Sequence, residues 1–208
     1  PITVIMGNPP YSIGQTSAND NNKNVEYSML KEKIDHTYGV NTSGLNKKSL
    51  YDSYIQAFRW ASDRIGETGI IAFVTPNSII DKPSTEGFRY TIHKEFNYLY
   101  SINLKGAIRG KIGEEAKREG QSIFNILTGI AITILVKDGS NIHEINYYEV
   151  EDYWNRNQKL QMIKDSISIN GLEFHSIKPD ENNDWINQRD GKYGEFPDLD
   201  GDVFETKA

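Results

Sequence analysis

The sequence contains no cysteine, which excludes a disulfide-bonded scaffold and a cysteine-ligated zinc site. No apolar run is long enough to cross a bilayer, and no secretory leader pattern opens the sequence. Histidine is scarce as well, and the four residues show no metal-ligand spacing, so we predict no metal site. These absences favour a cytoplasmic protein without membrane segments. The four histidines are His36, His93, His143 and His175.

The composition is sufficient for one ordinary core, since 37% of the 208 residues are hydrophobic and 11% are aromatic. The net charge of −6 is unevenly distributed along the chain. Residues 1–140 carry 16 basic and 14 acidic side chains, whereas residues 141–208 carry 7 and 15. The acidity therefore belongs to the last third of the chain, and the first part is free to bind a polyanion locally.

Apolar segments alternate between strand-like and helix-like patterns, which predicts an α/β sheet with helices on its faces. The early strands are apolar throughout, as buried parallel strands are. In the last part, two strands around a loop without a helix predict an antiparallel edge hairpin. The predicted strands are 2–6, 70–74, 98–104, 128–137 and 142–150. The predicted helices are 25–38, 49–65, 85–96 and 151–166, with long polar loops at 12–48 and 105–121.

The first strand leads directly into Asn8-Pro9-Pro10-Tyr11, a pattern that suits chemistry on an amino group. An amine conjugated to a ring is a poor nucleophile. The Asn8 side-chain oxygen and the Pro9 carbonyl oxygen could accept hydrogen bonds from its two N–H groups. Such contacts strengthen as positive charge develops on nitrogen. Pro10 stiffens the turn, and Tyr11 offers a flat face to a base taken out of a duplex. The alternative interpretation is a plain turn after a strand.

Several stretches carry a family resemblance: 8–12, 50–54, 69–78, 122–124 and 128–132. In them the chain resembles the Asn-Pro-Pro-Tyr amino-methyltransferases of bacterial restriction–modification systems, specifically the adenine-N6 DNA methyltransferases. It looks most like the methyltransferase part of large single-polypeptide enzymes that also carry a helicase. The resemblance implies a Rossmann-like sheet and assigns residues 1–150 to the C-terminal half of the catalytic domain. Residues 151–208 would begin a target-recognition region or a partly disordered extension, with 185–189 as the similar stretch.

The resemblance also implies partners and residue roles. S-adenosylmethionine would donate the methyl group directly to a flipped adenine in double-stranded DNA, and Asn8 and Tyr51 would lie beside this cofactor. Phe124 would stack on the base opposite Tyr11, although a core side chain at a strand end is an equal alternative for Phe124. Nuclease and helicase domains would accompany the chain in a cytoplasmic bacterial parent protein.

One departure from the family concerns glycine. These enzymes bind the cofactor through a glycine loop that precedes the Asn-Pro-Pro-Tyr motif, because glycine allows close backbone approach. Only seven residues precede Asn8, and Gly106, Gly110 and Gly113 lie in a charged loop rather than between a strand and a helix. We therefore expect the chain to be a fragment that is inactive alone.

Basic side chains cluster in the loop 105–121, where Lys105, Arg109 and Lys111 could contact DNA phosphates. The alternative is a solvated loop of mixed charge. Two other functions remain open at this point. The same motif serves enzymes that methylate adenine in RNA or a glutamine side chain in protein, and the fold could also be a catalytically silent module that binds nucleic acid.

Overall fold

Six strands form one mixed sheet in the order β1-β2-β4-β3-β5-β6. The computed structural model describes residues 2–11, 27–44 and 47–188. Of the predicted long polar loop 12–48, residues 12–26 and 45–46 lie outside the described part. The strands are β1 (Ile2–Gly7), β2 (Ile65–Pro76), β3 (Tyr98–Asn103), β4 (Ile130–Lys137), β5 (Glu144–Glu149) and β6 (His175–Ile177).

The strand directions confirm the predicted α/β class with a Rossmann-like mixed sheet. β1 and β2 are parallel, β3 and β5 are parallel, and β4 lies antiparallel between β2 and β3. β1, β2, β3 and β5 therefore run in one direction. β3 and β4, the strands predicted to flank a loop without a helix, are antiparallel as predicted but lie inside the sheet, and a short helix (Gly113–Glu119) interrupts the segment between them. One edge of the sheet is formed by β6, which pairs antiparallel with β5, and the other edge by β1.

The helices agree broadly with the predicted ones, although some begin later. The described helices are all too short and too polar to cross a membrane. They are α1 (Ser28–Ile34), α2 (Ser53–Ser62), α3 (Ser78–Asp81), α4 (Glu86–Glu95), α5 (Gly113–Glu119) and α6 (Arg156–Ser166). A π-helix (Asp35–Gly39) follows α1, and short 3-10 turns lie at Lys48–Tyr51, Pro83–Thr85 and Ile169–Gly171.

The main core lies between one face of the sheet and α1, α2 and α4. Residues spaced three to four apart on α2 are buried because this spacing places them on one helix face. The Phe58 ring lies 5.0 Å from the Phe73 ring of β2 and 5.1 Å from the Phe88 ring of α4. Burial of such aromatic side chains supplies much of the stability of this layer.

The opposite face of the sheet is apolar and partly open. Val4 of β1 pairs in register with Ile70 of β2, and their side chains and that of Met6 share this face because strand side chains alternate. Val4 is 55% exposed, Met6 70% and Ile70 37%. The prediction that the first strand is buried is therefore wrong: β1 is an edge strand that pairs only with β2 among the described residues.

Residues after position 150 join the same sheet and core. β6 pairs with β5, and Trp185 is buried in the main core. Arg89 of α4 is fully buried and forms an ion pair with Asp184 at 2.5 Å. No sequence pattern indicated β6, and α5 falls in a stretch predicted to be loop only. Residues 151–188, the described part of the predicted region 151–208, thus pack with the preceding residues. Their role in target recognition stays a prediction.

Candidate functional site at the carboxyl edge of the sheet

The carboxyl ends of β1, β2, β3 and β5 meet at one edge of the sheet, where ligands of open α/β sheets bind. Asn8 follows β1 at this edge and is exposed. Asn77 follows β2, and Asn103 ends β3. The structure therefore places the predicted motif at an accessible edge lined with amide side chains.

The hydroxyl of Tyr11 forms a hydrogen bond with another residue of the Asn-Pro-Pro-Tyr motif. It donates a hydrogen bond to Asn8 Oδ1 at 2.8 Å and lies 3.3 Å from the Val74 carbonyl oxygen. Partial burial raises the pKa of Tyr11 to about 12, so the hydroxyl keeps its proton at physiological pH. Asn8 and Tyr11, which the sequence predicts to act together, are thus in direct contact.

The Tyr11 ring is held by residues that the motif does not reveal. Tyr54 of α2 meets it edge-on, with ring centroids 6.3 Å apart and planes at 90°. Tyr54 is buried, and its hydroxyl lies 3.3 Å from Ser78 Oγ. In the sequence Tyr54 is only one member of an apolar helical period, which predicts burial but no partner. Such a fixed ring presents the same face to a ligand each time.

Phe124 lies in the segment between α5 and β4 and is 45% exposed. Its neighbour Ile123 is buried in a second apolar cluster, against which Ile126 and the Tyr11 ring also pack. The structure thus brings the Phe124 segment and Tyr11 onto one cluster. The alternative interpretation of Phe124 was a core side chain, and its exposure differs from that interpretation. Stacking of Phe124 on a base stays a prediction.

A chain of hydrogen bonds ties the strand ends together. Asn77 Nδ2 donates to Asn103 Oδ1 at 3.1 Å, and Asn103 Nδ2 donates to the Tyr147 hydroxyl at 3.0 Å. Tyr147 in turn donates to Glu149 at 2.8 Å. Asn77 also packs against Gly129, where an added Cβ would lie 2.5 Å from its side chain. This partly buried network helps to fix the relative position of β2, β3, β4 and β5.

The predicted phosphate-contacting residues differ in their surroundings. Lys105 Nζ pairs with Asp152 at 2.6 Å, and Lys111 Nζ pairs with Glu119 at 2.6 Å. The Glu119 carboxylate also raises the pKa of Lys111. Arg109 is exposed. Phosphate binding would therefore require Lys105 and Lys111 to exchange partners, and this role stays a prediction for all three.

Tyr51, the second residue expected beside the cofactor, points its hydroxyl into the fold. The hydroxyl donates to Asp35 of the π-helix, and burial, with the Asp35 carboxylate, raises its pKa to about 12. The turn after β1 holds two prolines and no glycine, so its backbone cannot form the close N–H cradle that glycine loops provide. A position of Asn8 and Tyr51 beside the cofactor stays a prediction.

A buried lysine supports the segment that carries Phe124. Lys159 of α6 is fully buried and donates from Nζ to the carbonyl oxygens of Glu119 and Gln121, at 3.0 and 2.8 Å. Burial lowers the pKa of Lys159 to about 8. The sequence predicted α6 but not this contact, since a single lysine on a polar helix normally faces solvent.

Fold and site together define a mixed α/β sheet with an amide-lined, accessible corner at its carboxyl edge. Solved structures that resemble the chain carry the comparison further. It is 46% identical to a nuclease-deletion mutant of the Type ISP restriction-modification enzyme LlaGI in complex with a DNA substrate mimic, with a TM-score of 0.89 over 99% of the chain. It is 41% identical to the ATP-dependent Type ISP restriction-modification enzyme LlaBIII bound to DNA, with a TM-score of 0.88 over 94% of the chain.

A third similar structure is the DrdV–DNA complex, 39% identical over 92% of the chain with a TM-score of 0.83. The chain spans 20%, 13% and 19% of the LlaGI, LlaBIII and DrdV chains. No protein-family profile matches the chain, and no curated protein matches it. The similarity thus covers nearly all of this chain and a small part of each larger enzyme.

Proposed function

We propose that the chain is the part of a restriction–modification DNA methyltransferase that holds the target adenine. The observation that carries this proposal is the exposed Asn-Pro-Pro-Tyr corner at the carboxyl edge, with Asn8 and Tyr11 in contact. The similarity to Type ISP restriction-modification enzymes over nearly the whole chain supports it. Both enzymes were solved with DNA or a DNA mimic, so double-stranded DNA is the proposed substrate.

Each residue of the corner has a proposed task. Asn8 Oδ1 and the Pro9 carbonyl oxygen accept hydrogen bonds from the two N–H groups of the adenine amine. These contacts localise the nitrogen lone pair and favour its attack on the methyl group. Acceptors aimed at a developing positive charge stabilise the transition state more than the ground state. Pro10 keeps the turn rigid, and Tyr11 stacks on the flipped base opposite Phe124.

The methyl donor of the proposed reaction is S-adenosylmethionine, bound with the help of groups other than the described residues. Nuclease and ATP-driven helicase parts in the full-length protein are a further part of the proposal. They are supported by the description of LlaGI as a nuclease-deletion mutant and of LlaBIII as ATP-dependent. No step is assigned to these parts.

The test is expression of the full-length protein in a bacterial host without adenine methylation, followed by mass spectrometry of nucleosides from its DNA. We expect N6-methyladenine with the native sequence and a loss of at least about 10²-fold with Asn8→Ala, since an electrostatic acceptor is removed. Asn141→Ala, an exposed asparagine in the loop between β4 and β5, is the matched control and should methylate normally.

Other outcomes separate the alternatives. Unchanged methylation by Asn8→Ala would contradict the site, and methylation of RNA or of protein glutamine alone would contradict the substrate. DNA binding without any methyl transfer by the native protein would favour the silent binding module instead.

A further inference from the structure

Tyr11 carries a hydroxyl group that stacking on a base does not require. This hydroxyl donates to Asn8 Oδ1 at 2.8 Å, the oxygen that the proposed function assigns to the target amine. A hydroxyl has one hydrogen, so it serves one strong acceptor at a time. The Val74 carbonyl oxygen, at 3.3 Å, is a second acceptor within reach of the same hydrogen.

We propose that the Tyr11 hydroxyl sets the orientation of the Asn8 amide and moves to the Val74 carbonyl when the target amine binds. This inference rests on the proposed function. An amide has an acceptor end and a donor end, and only the acceptor end can receive an N–H of the amine. A hydroxyl that donates to Oδ1 selects that orientation before the base arrives.

The surroundings of Tyr11 allow this exchange without movement of the ring. Tyr54 fixes the ring edge-on, and the second apolar cluster packs against it. β1 pairs with β2 only as far as Gly7 and Phe73, while β2 continues to Pro76. Val74 therefore lies beside the motif, and rotation of the hydroxyl hydrogen alone changes its acceptor. The donor is never left unpaired, which avoids the cost of a buried unsatisfied group.

A double-mutant cycle in the full-length protein tests the exchange, with methyl transfer to DNA as the readout. Tyr11→Phe keeps the ring and removes the hydroxyl, so the Asn8 amide spends part of its time reversed. We expect kcat to fall about three- to tenfold, the effect of one hydrogen bond, while the KM for DNA does not rise. In the Asn8→Asp background a carboxylate presents an oxygen in either orientation. There, Tyr11→Phe should change kcat by less than about twofold.

A second measurement reads amide order without catalysis. In the 208-residue chain, 15N relaxation of the Asn8 side-chain amide should report a rigid group, which becomes flexible in Tyr11→Phe. Tyr90→Phe, on α4, removes a hydroxyl away from the motif and should alter neither kcat nor the Asn8 amide.

Three results would overturn the inference. One is a Tyr11→Phe protein with native kcat. Another is an equal loss in the native and Asn8→Asp backgrounds, as a merely structural hydroxyl would give. The third is an Asn8 amide that stays equally rigid without the hydroxyl. If the native protein transfers no methyl group, the proposed function itself fails. In the other three results the native protein does transfer the methyl group, so the two kinds of failure are distinguishable.

Discussion

Arg89 is the largest fully buried side chain among the described residues. Its guanidinium donates to Asp184, to the Asn183 carbonyl and to the Lys82 carbonyl, at 2.5, 2.7 and 2.8 Å. A buried charge with this many partners is stable only as a complete set, because each unpaired member would pay its desolvation cost in full. One side chain thus fastens the segment around residue 184 to the helix layer.

Arg89→Met should lower the free energy of unfolding by about 3–5 kcal/mol, since it leaves Asp184 buried without its cation. Urea unfolding followed by tryptophan fluorescence measures this, because Trp185 is buried beside the pair. Arg64→Met is the control: Arg64 is exposed over the Trp60 ring, and its loss should cost less than about 1 kcal/mol. Equal effects of the two changes would contradict the assignment.

At this scale the sequence predicted the residues whose partners are close along the chain. Asn8 and Tyr11 lie three positions apart within one motif, and the structure shows them in contact. Arg89 and Asp184 are separated by 95 positions, and no local pattern connects them. Tyr54 was predicted to be buried from its helical spacing, but only the folded chain shows that its edge faces Tyr11.

Between elements, Lys159 ties α6 to the end of α5 through two backbone carbonyl groups. Its pKa is lowered to about 8 by burial, whereas an unfolded lysine titrates near pH 10. Between these values the unfolded chain binds more protons than the folded one, so a rise in pH favours folding through this group. Below pH 8 both states are protonated, and the contribution no longer changes with pH.

The stability of the native chain relative to Lys159→Met should therefore increase between pH 7.5 and 9.5, by about 2 kcal/mol. Urea unfolding of both proteins at several pH values gives the difference, in which the tyrosines common to both cancel. Lys164→Met, on an exposed position of α6, serves as the control and should show a constant difference. A difference for Lys159 that is constant, or that decreases with pH, would refute the role of its burial.

Elements with a strong apolar period were predicted well, and short polar ones were not. β2, β3, β4 and α4 appear where the pattern placed them, with boundaries shifted by a few residues or, for β2, extended at both ends. α5 was missed because its seven residues are mostly charged and have no apolar period. β6 has three residues, too few for an alternating pattern. α6 begins at Arg156 rather than at residue 151, because Asn155 and Gln158 form a capping box at that point.

The strand order of the whole sheet lay beyond sequence reasoning. The antiparallel pair was predicted at the edge, because strands that follow one another usually lie side by side. Instead β4 inserts between β2 and β3, and β5 continues the sheet on the far side of β3. This arrangement depends on contacts among all strands together, which no single segment records.

For the whole molecule, the open apolar face at β1 and β2 has a measurable effect. Val4 and Met6 are mostly exposed, and contiguous exposed apolar surface promotes association. We expect the 208-residue chain to self-associate at micromolar concentration, and Val4→Lys with Met6→Lys to reduce this about tenfold or more, since charge on an edge strand opposes pairing. Sedimentation velocity measures the change.

Ile112→Lys provides the comparison for this experiment, because Ile112 is 86% exposed but lies just before α5 and not on a strand. It should leave association unchanged. A monomeric native chain, or an equal effect of Ile112→Lys, would show that the sheet face is not responsible.

The contact between residue 184 and α4 also bears on where the chain would tolerate recombination with a related protein. If sequence recognition is exchanged between related proteins by recombination, a crossover near residue 150 would separate Arg89 from Asp184 and remove β6 and Trp185 from their native neighbours. A crossover after residue 188 keeps these pairs within one parent. Chimaeras joined at the later position should therefore be recovered as folded proteins far more often than those joined at the earlier one.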